Sequence, residues 1–176
     1  MENSVLMVID VQQKIFATMH EQVETERNIV RLIAGAKVFH MPVIWTEQYP
    51  KGLGRTIRSV REALEGRKPL EKTAFSCCGD KEIESTIESQ ARKQILLCGI
   101  EAHVCVYQTA VDLLEKGFEV HLVSDAVMSR HELNYRLALQ KVHDLGANLT
   151  SVEMALFELQ RIARGETFKS IAQIIK

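Results

Sequence analysis

Apolar residues along this chain fall into short unbroken runs, separated by longer stretches in which they recur every three or four positions. Val5-Leu6-Met7-Val8-Ile9 is one such run. It is too short for a helix and stops at Asp10, so it reads as a strand buried on both faces. Between residues 21 and 40, Ile29, Leu32, Ile33 and Ala36 stand at i, i+3, i+4 and i+7 with Arg27 and Arg31 opposite. That pattern predicts an amphipathic helix ended by Pro42. Val43-Ile44-Trp45-Thr46 is the second strand, and residues 47–54, with Pro50, Gly52 and Gly54, read as a loop of the kind that carries function.

The alternation continues to the end of the chain. Asp80 can cap a helix over 81–91, Gln94 to Cys98 is a strand closed by Gly99, and a helix over 103–116 ends at Gly117. Residues 118–123 form a strand terminating at Ser124-Asp125. Ser129 and Glu132 have capping-box spacing for a helix that Gly146 ends; Thr150 and Glu153 repeat the signal after a short strand over 148–150. The tail, 168–176, is weakly helical. Strands alternating with helices imply right-handed crossovers, hence a three-layer α/β/α, Rossmann-like fold with a mainly parallel sheet of about six strands. Ligands in such sheets bind beyond the carboxyl ends of the strands.

Composition narrows the function. The 176 residues, 46% hydrophobic and 26% charged, fit one domain over 1–176 that buries about 70% of its extended surface. Lys plus Arg total 22 against 23 for Asp plus Glu, a formal charge of −1, so no basic footprint invites a nucleic-acid partner. No apolar run approaches the ~20 residues a membrane span needs. Met1-Glu2-Asn3-Ser4 lacks a basic leader region, and the expected location is cytoplasmic. The four cysteines contain no C-x-x-C pair and read as free thiols, with Cys98 packed inside its strand and Cys77-Cys78 structural or incidental.

Three residues carry candidate chemistry: Asp10 after the first strand, Lys72 in the long segment that follows the second, and Cys105 in the first turn of a helix. Taken singly they are a helix cap, a surface lysine and a small buried hydrophobe. Together they are a nucleophile with a base and a cation. A thiolate at a helix start is favoured by the free N–H groups there, a nearby ammonium lowers its pKa further, and a carboxylate can take its proton and return it to a leaving group. His103, two residues from Cys105, points to a different helix face and is a lining or capping residue.

The segments Val8-Ile9-Asp10-Val11-Gln12, Glu71-Lys72-Thr73-Ala74-Phe75 and Gly99-Ile100-Glu101-Ala102-His103-Val104-Cys105 resemble, in order and spacing, the three signature segments of the isochorismatase-like cysteine hydrolases. Through Thr46-Glu47-Gln48-Tyr49-Pro50 and Leu97-Cys98-Gly99-Ile100-Glu101-Ala102 the chain is most similar to the branch called isochorismatase domain-containing proteins. The resemblance implies a catalytic triad of Asp10, Lys72 and Cys105. It also implies a non-proline cis peptide between Ile100 and Glu101 that aims the Glu101 N–H, beside that of Cys105, at an oxyanion. Nicotinamidases of this family bind a metal through an Asp-x-His and a further His after the second strand; residues 46–56 here hold neither residue type, so no metal and no cofactor are expected. Phe16, Trp45, Gln48, Tyr49 and Phe75 are candidates to wall the substrate pocket.

The implied activity is hydrolysis of a small-molecule amide, or a related acyl compound, through a Cys105 thioester. The alternative is a non-catalytic binding or scaffold protein that keeps the fold. A nucleotide-binding module is disfavoured, because no G-x-G-x-x-G follows the first strand. Family members are usually dimers or larger, so a homo-oligomer is expected.

Overall fold

β1 (Ser4–Ile9) lies at the middle of the molecule because its residues are apolar on both sides. Leu6 and Val8 pack into one core with Ile29, Leu32 and Ile33, while Val5, Met7 and Ile9 pack into a second core with Ile83, Ile87 and Val106. The computed structural model describes residues 3–176, so the leader reading made on Met1 and Glu2 lies outside the described residues.

The chain runs from β1 through α1 (Gln13–Phe16), α2 (Gln22–Val38), β2 (Val43–Gln48), α3 (Pro50–Leu53), α4 (Arg58–Ala63) and β3 (Leu70–Lys72) to a 3-10 turn at Cys77–Gly79. It continues through α5 (Lys81–Ser89), β4 (Gln94–Ile100), a π-type turn at Ala102–Val106, α6 (Tyr107–Glu115) and β5 (Glu119–Met128). α7 (Glu132–Asp144), β6 (Asn148–Thr150), α8 (Val152–Gln160) and α9 (Gly165–Ile175) complete it. The strands form one six-stranded sheet in the order β3-β2-β1-β4-β5-β6, each neighbouring pair parallel. Helices cover both faces, as the alternation of apolar runs and periodic stretches requires.

Several boundaries differ from the sequence reading. Residues 47–48 belong to β2, not to a loop, because Glu47 and Gln48 register with Glu71 and Lys72 of β3, a three-residue strand too short to leave a pattern. β5 does not stop at Ser124-Asp125: after a register shift Val127 and Met128 pair with Gly99 and Ile100. Ser129 does not cap α7, whose N-cap is His131; its hydroxyl instead meets His103 Nδ1 at 2.9 Å. The cap of α8 is Ser151, accepting the Met154 N–H, and not Thr150. Asp80 does cap α5, accepting from Glu82 and Ile83.

One glycine is dictated by the sheet itself. Gly99 has φ +115°, and a Cβ there would lie 2.1 Å from the Ile9 carbonyl oxygen. Only glycine lets β4 approach β1 this closely at the strand ends, and β1 and β4 flank the point where strand order reverses. The crevice beyond those two carboxyl ends is where an open α/β sheet binds its ligand.

Candidate active site

Asp10, Lys72 and Cys105 converge at that crevice, and all three are buried. Asp10 leaves β1 in a left-handed conformation, φ +50°, one of the few non-glycine residues that tolerates it. This turn carries its carboxylate toward β2 and β3. Thr46 of β2 donates its hydroxyl to Asp10 Oδ1 at 2.8 Å, and the Lys72 ammonium at the end of β3 donates to Oδ2 at 2.6 Å.

Lys72 has no freedom left. Besides Asp10 it donates toward Gln48 Oε1 at 2.8 Å, the Phe75 carbonyl at 2.9 Å and the Ala74 carbonyl at 3.2 Å, four acceptors for three N–H groups. Burial pulls its pKa down, but the attraction of Asp10, with smaller contributions from Cys105 and Cys77, outweighs that and holds it above the usual lysine value. It is a fixed positive charge, not a base.

Cys105 lies in the π-type turn ahead of α6, buried with Asp10 and Lys72, whose charges both act on its thiol. Burial pushes this thiol up to about 12; Asp10 pushes the same way and the opposing Lys72 charge is outweighed. Burial thus favours the neutral thiol over the thiolate that the sequence argument expects at a helix start. The π-type turn runs directly into α6, and the Lys72 charge is shared between Asp10 and the thiol. A neutral thiol beside an ion-paired carboxylate is a starting point for general-base chemistry.

The bond between Ile100 and Glu101 is cis, at the position the resemblance implied. Glu101 closes the turn that holds Cys105, its carbonyl accepting the N–H groups of Val104 at 3.1 Å and Val106 at 3.2 Å. Its carboxylate accepts from Arg130, through the backbone N–H and Nε at 3.1 Å and through Nη2 at 2.6 Å. His103 is engaged with Ser129 and stands 4.0 Å from Glu101, consistent with a bracing role and not a dyad with Cys105.

The proposed pocket residues divide. Phe16 and Trp45 are buried in the core on the α2 side, the Trp45 indole N–H donating to Thr56. Gln48 is part of the site through Lys72. Tyr49 and Phe75 are half-exposed, and Tyr49 lines a cleft of about 240 Å³ with Pro50, Lys51, Glu71, Lys72, Thr73 and Asp80. Gln12 fixes the wall of this region: its side-chain amide donates to the Gln48 and Gly54 carbonyls and accepts the Gln48 N–H.

Sequence reasoning missed four contributors: Thr46, Thr109, Cys77 and Arg130. Thr109 donates to the Cys105 carbonyl at 2.7 Å and accepts the Cys77 N–H at 3.0 Å. Its position four residues after Cys105 was the available signal. Cys77 is fully buried behind Asp10, 4.0 Å from the Thr46 hydroxyl, and burial raises its thiol to about 11. All four cysteines are free. Among the described residues, no group of three or more His, Cys, Asp or Glu side chains could hold a metal ion, and no helix is long and apolar enough to cross a membrane.

Comparison with known proteins agrees with this architecture. The isochorismatase domain model matches residues 4–154. A secreted isochorismatase effector, Isc1, from Phytophthora sojae is 41% identical over 179 residues, covering 99% of this chain and 85% of that protein. Isochorismatase domain-containing protein 2 from Danio rerio is 38% identical over 175 residues, covering 99% and 87%. Among solved structures, one described as the MAR1 ribonuclease from Caenorhabditis elegans superimposes with a TM-score of 0.92 at 39% identity, over 99% of this chain and 90% of that one.

Proposed function

The chain belongs to the isochorismatase family, and from that premise we propose that it is a cysteine hydrolase cleaving a small-molecule amide or related acyl compound through a Cys105 thioester. One observation carries the reading: a lysine, a carboxylate and a thiol, far apart in sequence, are buried together, the lysine hydrogen-bonded to the carboxylate and both charges acting on the thiol. Burying an ion pair brings little or no stability relative to apolar packing of the same volume, so its presence at the strand ends argues for chemistry.

In this reading Asp10 takes the Cys105 proton as the sulfur attacks the substrate carbonyl carbon. An S–C bond forms and the carbonyl electrons move to oxygen, held by the Glu101 and Cys105 N–H groups. Asp10 passes the proton to the leaving amine as the C–N bond breaks, leaving the thioester. Asp10 then takes a proton from water as its oxygen attacks the thioester carbonyl, and returns that proton to the departing sulfur as the S–C bond breaks, so that the acid is released and the thiol and carboxylate are regenerated. Lys72 keeps the site net neutral when Asp10 is charged and favours the thiolate when Asp10 is protonated. Tyr49 and Phe75 are the half-exposed walls available to the acyl group.

RNA is outside this reading, because a formal charge of −1 gives no net positive charge to favour a phosphate backbone. Four unpaired thiols suit a reducing, cytoplasmic compartment. A homo-oligomer belongs to the same proposal: Leu133 and Leu137, one turn apart on α7, are 67% and 50% exposed, a strip a second copy would cover. Light scattering that finds only monomer removes that part.

The test is acylation by p-nitrophenyl acetate. A burst of p-nitrophenolate, an acetyl group located on Cys105 by mass spectrometry and loss of both in Cys105→Ala are expected. No acylation at Cys105 ends the hydrolase reading and favours a binding protein.

A further inference from the structure

The Glu101 carboxylate is nine-tenths buried, yet the side chain that neutralises it comes from the surface and from a different element. Glu101 is 7% exposed and Arg130, on the turn between β5 and α7, is 55% exposed. A buried carboxylate needs partners, and Arg130 supplies a two-pronged guanidinium contact together with its own backbone N–H. Burial pushes the Glu101 carboxyl pKa up, and the Arg130 contacts more than reverse that. Glu101 is thus held from two sides, its carbonyl by the turn that carries Cys105 and its carboxylate by the β5–α7 junction. A parallel tie, His103 to Ser129, spans the same two elements.

We propose that Arg130 is a positioning residue for the reaction: by gripping the Glu101 carboxylate it fixes the Glu101 N–H relative to the Cys105 sulfur, and so sets the oxyanion site. This deepens the hydrolase reading and rests on it. A bidentate guanidinium constrains direction as well as distance, which a single ammonium does not. If the pair served only to neutralise a buried charge, any substitution that restored neutrality would preserve the rate. If it positions the N–H, chemistry that builds an oxyanion depends on it and chemistry that does not is indifferent.

Two reagents separate these cases on the same sulfur. p-Nitrophenyl acetate acylates Cys105 through a tetrahedral oxyanion; iodoacetamide alkylates it by direct displacement of iodide, with no oxyanion. In Arg130→Gln and in the neutral pair Arg130→Gln/Glu101→Gln, acylation is expected to fall roughly tenfold to a hundredfold, less than the ~10² to 10³ of a deleted oxyanion donor. Alkylation should stay within about threefold in both, and Arg130→Lys should restore acylation only partly. The double variant should lose little more than the single, since both act through one contact. Equal loss of acylation and alkylation, or full acylation in the neutral pair, overturns the proposal. Failure of the unsubstituted protein to acylate at Cys105 overturns the hydrolase reading itself, a result visible before any Arg130 variant is made.

Discussion

The Lys72 ammonium and the Asp10 carboxylate meet at 2.6 Å with neither side chain exposed, joining the ends of two strands that are not neighbours in the sheet. β2 lies between β1 and β3, and its Thr46 and Gln48 complete the row. The pair therefore ties three strand ends together, and each charge is tolerable only while the other is present.

Removing one partner leaves the other buried and uncompensated. Asp10→Asn and Lys72→Met are each expected to lower unfolding stability by about 3 to 5 kcal/mol. The double variant should cost clearly less than the sum, because neither orphan charge remains. Urea unfolding of the four proteins checks this, and single losses below about 1 kcal/mol would sink it.

The proton position at Cys105 gives a second expectation. With the thiol pushed up to about 12, the rate of alkylation by iodoacetamide should rise about tenfold per unit between pH 7 and 9, with no plateau. Asp10 is one of the groups holding the thiol protonated, so Asp10→Asn should speed alkylation while abolishing p-nitrophenyl acetate turnover. These opposite signs distinguish a base from a group that merely lowers a pKa. A plateau below pH 7 in the unsubstituted protein would mean a preformed thiolate.

Gly99 sets the crevice that holds the proposed site. A Cβ at that position would meet the Ile9 carbonyl at 2.1 Å, and the neighbour is backbone, which cannot rotate aside. Gly99→Ala should cost several kcal/mol, on the order of 3 or more, through both the clash and the positive φ. Gly66→Ala is the control: its φ is also positive, but no atom lies within 4 Å of the added Cβ, so about 1 kcal/mol is expected. Thermal unfolding of the two variants compares them, and equal losses would remove the close-approach argument.

What the sequence made legible was whatever has a period or a motif. β1, α2 and β4 follow from runs and spacing, and Asp10, Lys72 and Cys105 from residue types in resembling segments. The strand β3 was invisible because three residues carry no alternation, although its register with β2 places Lys72. β5 runs on past Ser124-Asp125, although polar residues there read as an end; they lie where the strand shifts register, and their groups are satisfied by contacts with β6, α7 and α8. Arg130 was missed for a different reason. Its partner is twenty-nine residues away, with α6 and β5 between them, and a half-exposed arginine has no local signature. The direction of the Cys105 pKa is also beyond the sequence, since it depends on burial and on the nearby Asp10 charge, which together outweigh Lys72.

The buried thiols make a last prediction about alkaline pH. Cys98 is fully buried inside β4, and burial raises its pKa far above that of an unfolded cysteine, about 8.5. Cys77, Cys78 and Cys105 are raised as well, to about 11, 12 and 12. Below pH 8.5 both folded and unfolded chains keep these protons, and stability does not depend on them. Above it the unfolded chain releases protons that the folded chain retains, so stability falls by up to about 1.4 kcal/mol per pH unit for each thiol. Lys72, whose folded pKa is also raised, acts in the same direction once pH passes the unfolded lysine value near 10.5. The melting temperature should therefore be flat from about pH 7 to 8.5 and drop steeply beyond. Cys98→Ala removes one of the four thiols without touching the site, and should make the alkaline fall shallower by about one proton's worth while leaving acylation of Cys105 intact. An alkaline limb of unchanged slope in Cys98→Ala would show that this thiol ionises as readily in the folded strand as in the open chain.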